Sequence, residues 1–394
     1  MDGFDRGDSK EGGGCWLNWI GQDPDDLLVE NNHNVDINFQ LIQTITNNFA
    51  EDQKVGNGGF GDIFCFLLTR AHILSFLSIA NSDPPPPPPP NLIFVYRAIY
   101  KGEEIAVKKF QPLHGLDDKQ FAIEFCNLSK VCHQNVVRLI GYCYESQHKY
   151  MELKGELVFG QTVERVLCFE YMQGGSLDKH IKDESCGLEW PTCYKIIKGT
   201  GEGLNYLHSL HGNPIFHLNL KPGNILLDRS MTPKIANLGL SRPVASTDNH
   251  DGTLGFMPPE FVDGGDISNK FDVFSLGVIM IKILAGNNGY YRCSKMSPEQ
   301  FFELVTENWT KRLQTMMSYA SLKEDILRVR TCVEIALRCV AMDQNKRPTV
   351  KEIVHELEGV EANITIMSHL TTGSERHQVS LQHLKDIREN FSRE

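Results

Sequence analysis

Apolar residues at Phe39, Ile42, Ile45 and Phe49 recur at helical spacing and predict a short helix leading into a glycine-rich turn. The text before it, residues 1 to 38, is rich in Gly, Asp and Asn with little periodicity, and reads as a flexible tail despite Trp16 and Trp19. β-rich text then runs through Phe94–Phe110, where Lys101-Gly102 marks a turn between two strands. A helix is predicted over Asp117–Cys132, with Phe121, Phe125, Leu128 and Cys132 on one face, and an apolar strand fits Leu167–Tyr171. The second half is mostly helical. Lys270–Ala285 is apolar nearly all round, as a buried helix must be, and two amphipathic helices flank the loop Asp343–Pro348 within Val329–Val360. From 361 to 394 the chain is polar and reads as a second tail, in which Leu381, Leu384, Ile387 and Phe391 line a short helix without an assigned partner.

Two segments interrupt this pattern. Phe64–Ala80 is largely apolar but carries Arg70 and His72, and its 17 residues sit at the bottom of the spanning range. Seven prolines, Pro84–Pro90, follow it. Polyproline lacks backbone donors, so the run predicts an exposed, extended strut, either a passive insertion or a ligand for a proline-binding domain. The second interruption, Glu145–Val166, reads as a surface loop between two strands.

Composition adds limits. Hydrophobic residues make up 41% and charged residues 23%, as in soluble globular chains. A formal net charge of -11 argues against nucleic acid or an anionic membrane surface as a general partner. The 11 scattered cysteines contain no CxxC pair, which argues against a disulfide framework or zinc site and for a reducing compartment. The first residues, MDGFDRGDSKEGGG, match neither a signal peptide nor a myristoylation sequence, so a cytoplasmic location is expected.

The chemistry-bearing residues form an ordered series. Gly56-Asn57-Gly58-Gly59-Phe60-Gly61 is a glycine turn whose amides can approach phosphate oxygens, although such turns are common by themselves. Downstream come Ile105-Ala106-Val107-Lys108, Glu124, His217-Leu218-Asn219-Leu220-Lys221-Pro222-Gly223-Asn224, Asn237-Leu238-Gly239, Pro258-Pro259-Glu260, Asp272 and Arg347. In this order they resemble the protein-kinase signature set, and CFEYMQGGSLD, GTLGFMPPEF and FDVFSLGV resemble the plant receptor-like serine/threonine kinase group.

That resemblance covers residues 39 to 360. It implies an α+β, two-lobed protein-kinase fold: a β-rich N-lobe at about 49–172 with one main helix and an insertion at 64–94, then a larger helical C-lobe at about 173–360. It implies an ATP site made by Gly56, Gly58, Gly61 and Ile63, by Lys108 held by Glu124, and by the backbone of Glu170 and Met172 behind Phe169. Lys221 and Asn224 would contact phosphate or metal, Glu260 with Arg347 would tie down the activation segment, and Asp272 would brace the catalytic loop.

Two positions depart from the family. The resemblance places the substrate-orienting base at Asn219 and the magnesium-chelating carboxylate at Asn237. An amide is not a useful base, and its neutral oxygen is a poor ligand for a hard cation. Leu218 also replaces the usual arginine. The implied protein is a catalytically impaired pseudokinase that binds ATP weakly, lacks firm metal ligands at Asn224 and Asn237, and works through protein partners such as receptor kinases. It would reach the plasma membrane only through 64–80 or a partner. An active serine/threonine kinase, with Ser246, Thr247 and Thr253 as phosphosites, is the alternative; a membrane-associated adaptor is the third reading.

Overall fold

The computed structural model describes residues 35–58, 93–110, 117–153, 156–182, 187–211, 214–238, 242–243, 255–262, 267–315 and 319–372. The prolines, Phe64–Ala80, Gly61, Ile63, Ser246, Thr247, Thr253 and the helix expected near Leu381 lie outside them.

The N-terminal lobe is a six-stranded sheet with the order β1-β5-β6-β4-β3-β2. Its strands are β1 (Val35–Asp36), β2 (Lys54–Gly58), β3 (Ile93–Tyr100), β4 (Glu103–Phe110), β5 (Leu139–Leu153) and β6 (Glu156–Glu170). Helix α1 (Phe39–Ile45) follows β1, and α2 (Asp117–Leu128) follows β4. The β3–β4 turn falls at Lys101-Gly102 as the sequence predicts, with both residues at positive φ, 51° and 83°. That backbone matches the twist of a two-residue hairpin, and glycine takes the second position without strain.

Several boundaries differ from expectation. Val35 pairs in parallel with Gly141, Ile37 is 2% exposed, and the Asn38 side chain caps α1, so the fold begins before residue 39 and the N-lobe before 49. Phe39 and Ile42 are buried with Tyr96, Val107, Val166 and Cys168 in a small core of this lobe. A tail pattern gives no warning of two residues that add an edge strand. The insertion is also shorter than 64–94, because Ile93 and Phe94 already belong to β3, where Ile93 faces Phe110. The expected loop at Glu145–Val166 is instead the outer half of a hairpin, paired from Glu145↔Glu164 to Leu153↔Glu156. Val158, Phe159, Thr162 and Val163 are β-favouring and outweigh the polar residues that made it read as a loop.

The C-terminal lobe contains α3 (Trp190–His208), α4 (Pro259–Val262), α5 (Phe271–Ala285), α6 (Gly289–Lys295), α7 (Pro298–Gln314), α8 (Tyr319–Cys339) and α9 (Val350–Thr372). Short strands β7 (Gly175–Ser176), β8 (Ile215–Phe216), β9 (Ile225–Leu227), β10 (Pro233–Ile235) and β11 (Arg242–Pro243) lie between its helices or ahead of them. All of α5 except Lys282 is buried, as its sequence predicts. At Gly277 an added Cβ would meet Cys339 Cβ at 2.5 Å, so the glycine is what lets α5 and α8 approach. Helix α9 passes the expected boundary at 361: Ile364 is 7% exposed and Glu361 pairs with Lys198 on α3.

Among the described residues no single helix is long and apolar enough to cross a membrane; α5 with α6 passes only as a pair bent by 103°. The eight described cysteines are free thiols.

Candidate functional site

The site lies where β4 and α2 of the first lobe meet the loops around β8, β9 and β10 of the second. Lys108 stands in β4 opposite Val95 and Leu167, 7% exposed, and Glu124 on α2 is fully buried. Lys108 Nζ donates to Glu124 Oε1 and Oε2 at 2.7 and 2.6 Å, and to Asn237 Oδ1 at 2.9 Å. An ammonium has three N–H donors, so these three contacts use its full capacity. A buried lysine is tolerable only because a carboxylate compensates its charge.

Asn237 sits at φ 70°, a left-handed conformation that asparagine tolerates better than most side chains. Its Nδ2 donates to Asn224 Oδ1 at 3.3 Å, and Asn224 Nδ2 donates to the Asn219 carbonyl at 2.8 Å. The result is a polar chain from Glu124 through Lys108, Asn237 and Asn224 to the backbone of Asn219. An aspartate at 237 has no N–H with which to make the middle link. On the same segment, Asn127 of α2 donates to the Leu238 carbonyl at 2.9 Å, a second tie between the lobes.

Asp272 holds the loop that carries Asn219. Its carboxylate accepts from the His217 amide at 2.7 Å, the Leu218 amide at 2.8 Å and His208 Nε2 at 2.8 Å. These bonds fix the unusual φ of 61° at Leu218. Burial alone would raise the Asp272 carboxyl, but the hydrogen bonds and charges supplied by His208, with His217 and the Leu218 amide, hold it below the ordinary value. Burial also lowers the pKa of His217. The Asn219 amide donates to His217 Nδ1 at 3.2 Å, so Nε2 carries the proton and donates to the Ala236 carbonyl at 3.0 Å. His217 is thus a neutral strut between the two loops.

The remaining positions are distributed as follows. Lys221 is half-buried and precedes the turn Pro222–Asn224. Gly56 and Gly58 lie on β2 beside Val95 and Ile93 of β3. Phe169 is 7% exposed within the main core. The Glu170 carboxylate is engaged by the Arg138 amide and by Lys234, both at 2.8 Å, and the Glu170 amide donates to the Arg138 carbonyl at 3.2 Å. Met172 is buried and its carbonyl accepts from the Gly175 amide at 3.1 Å, turning the chain into the second lobe. Arg347, 2% exposed, forms a two-pronged pair with Glu260 at 2.6 and 2.7 Å.

The donor set does not fit a magnesium ion. The Asn237 oxygen is taken by Lys108, the Asn224 oxygen by Asn237, and both are neutral where a hard cation prefers carboxylate. Sequence reading singled out every residue of the polar chain and the Lys108–Glu124 pair, but not the links through Asn237 and Asn224, nor the bracing roles of His208 and Asn127. Hydrogen bonds between positions over 50 apart leave no periodic trace; the pairing of His208 with Asp272 spans 64.

The protein kinase domain family matches residues 93–357. Among related proteins of Arabidopsis thaliana, cysteine-rich receptor-like protein kinase 41 is 30% identical over 347 residues, 85% of this chain and 45% of its own length. Cysteine-rich receptor-like protein kinase 29 is 33% identical over 336 residues, 80% of this chain and 42% of its own. Number 26 of the same group is 33% identical over 339 residues, 82% and 43%. The chain therefore spans less than half the length of these relatives.

Proposed function

The chain belongs to the protein kinase family, in its receptor-like group, and from that premise we propose that its kinase domain is a pseudokinase: a signalling element that transfers phosphate at or near background. The observation that carries this reading is the closed polar chain, in which Asn237 accepts from Lys108 and donates to Asn224. Both groups that would meet phosphate and metal are thereby bonded to each other.

Magnitudes support impairment. Loss of a general base at Asn219 costs roughly 10²- to 10⁴-fold. Loss of the metal's carboxylate at Asn237 removes several kcal/mol of charge stabilisation, about a further 10²-fold. Independent losses multiply. ATP would then bind weakly, through Met172 and Glu170 backbone and whatever Lys108 gives up to it, and magnesium would add little. The output would pass through protein partners in receptor-kinase signalling, with the domain on the cytoplasmic side of the plasma membrane.

A second reading, a slow serine/threonine kinase, is favoured by two features: the Lys108–Glu124 pair is formed, and the Asp272 brace is intact. Transfer of labelled γ-phosphate to a general protein substrate separates the two. No turnover above a no-enzyme control is expected. Turnover abolished by Lys108→Ala would defeat the pseudokinase reading, whereas turnover that survives Lys108→Ala comes from a contaminant.

A further inference from the structure

Three consecutive residues, Ala236 to Leu238, are each held by other parts of the chain. The Ala236 amide donates to the Asn224 carbonyl at 2.9 Å, and the Ala236 carbonyl accepts from His217 Nε2 at 3.0 Å. The Asn237 side chain accepts from Lys108 Nζ at 2.9 Å. The Leu238 carbonyl accepts from Asn127 Nδ2 at 2.9 Å, a bond that joins positions 111 apart in sequence. The first residue is thus fixed by the C-lobe, and the next two are also tied to the N-lobe.

Asn127 follows Glu124 by three residues on α2, so the two side chains leave the helix on the same side. Glu124 is fully buried and aims Lys108, which reaches the side chain of Asn237. Asn127 is 9% exposed and takes the main chain one residue later. The helix that carries both is anchored to the sheet: Phe121 lies 5.7 Å from the rings of Phe110 and Tyr144, and Phe125 lies 4.7 Å from that of Tyr142. Leu238 is buried in the main core, where a carbonyl stripped of its donor costs free energy. Fixing the Leu238 main chain also restrains Asn237 at φ 70°, the conformation in which its oxygen meets Lys108.

We propose that Asn127 is a positioning residue of the candidate nucleotide site, holding the Asn237–Leu238 segment from α2 so that Lys108 stays bonded to Asn237 before any ligand arrives. A phosphate oxygen that takes the third N–H of Lys108 must first displace Asn237. A segment held in that arrangement lowers apparent affinity by the fraction of molecules in which it has opened. Asn127 sets that fraction without itself touching Lys108 or Asn237. The proposal rests on the polar chain closing the phosphate site, and its test has one arm that does not.

That test is hydrogen–deuterium exchange and ATP titration without magnesium, on the full chain and on Asn127→Ala. Exchange in a peptide spanning 236–238 is expected to speed up about 5-fold more than in a peptide from α5, the worth of one hydrogen bond. ATP affinity is expected to rise, by up to about 5-fold, although the variant is less stable. A side chain that only packs would lower stability without tightening ATP. Should Asn127→Ala fail to fold, Asn127→Leu fills the space without a donor, and the same two shifts are expected. Faster local exchange with unchanged ATP affinity would support the hold on the segment and count against the polar chain as the closure of the site. Exchange at 236–238 that rises no more than in α5 would overturn the proposal.

Discussion

Restoring both carboxylates, Asn219→Asp together with Asn237→Asp, should raise phosphoryl transfer from background by roughly 10²- to 10⁴-fold from the base alone. The loop that would carry the new base is already held: Asp272 takes the amides of His217 and Leu218, and His217 takes that of Asn219. A carboxylate at 237 would keep its contact with Lys108 but lose the N–H that now reaches Asn224, freeing the Asn224 oxygen. Each single substitution should recover only its own factor, roughly 10²- to 10⁴-fold for the base and about 10²-fold for the metal ligand. Transfer of labelled γ-phosphate measures this; a double variant no faster than the parent would mean that something other than the two amides limits the domain.

Asp272→Ala should cost about 3–5 kcal/mol of stability, read as a fall in the urea midpoint at unchanged slope. The carboxylate is 1% exposed and serves two backbone amides and His208, so removing it strands three donors in the interior. Its pH dependence has a defined sign. A carboxyl held below its ordinary value contributes fully above that value, 3.8, and the contribution is lost as pH falls through the folded-state pKa. His217 acts earlier in the descent. Its lowered pKa means that the unfolded chain takes up the proton first, so stability begins to fall below the ordinary histidine value of 6.5.

The fold was legible where periodicity and packing agree. The buried helix α5 and the Lys101-Gly102 turn lie where the sequence puts them, because burial and turn chemistry are local signals, and the helix carrying Glu124 starts where expected but ends at Leu128, leaving Cys132 beyond it and exposed. The edges were less legible. Val35–Asp36 is a two-residue strand whose only reason is the open edge of β5, and the hairpin from Glu145 to Val166 is polar enough on one side to pass for a loop. Within the site, the identities of Lys108, Glu124, Asn219, Asn224 and Asn237 were readable from motif order. That an asparagine at 237 could both accept from Lys108 and donate to Asn224 was not, since it depends on a left-handed backbone and on residues brought together from both lobes.

The hairpin leaves Tyr150, Leu157 and Phe159 exposed at 70%, 76% and 59%, with Tyr150 and Phe159 ring centres 5.1 Å apart. Large apolar side chains at the tip of a two-stranded arm add nothing to the core they extend from. The proposed picture rests instead on the closed polar chain: a kinase scaffold kept while Lys108, Asn237 and Asn224 bond to one another.

The most direct test of that picture is thermal unfolding with ATP, with and without magnesium, on the parent chain and on the Asn219→Asp, Asn237→Asp variant. The parent is expected to show a small shift with ATP that magnesium does not enlarge, and the variant a shift that appears only with magnesium. A magnesium-dependent shift in the parent would contradict the account, because it would require a metal ligand that the bonded amides of Asn224 and Asn237 do not offer.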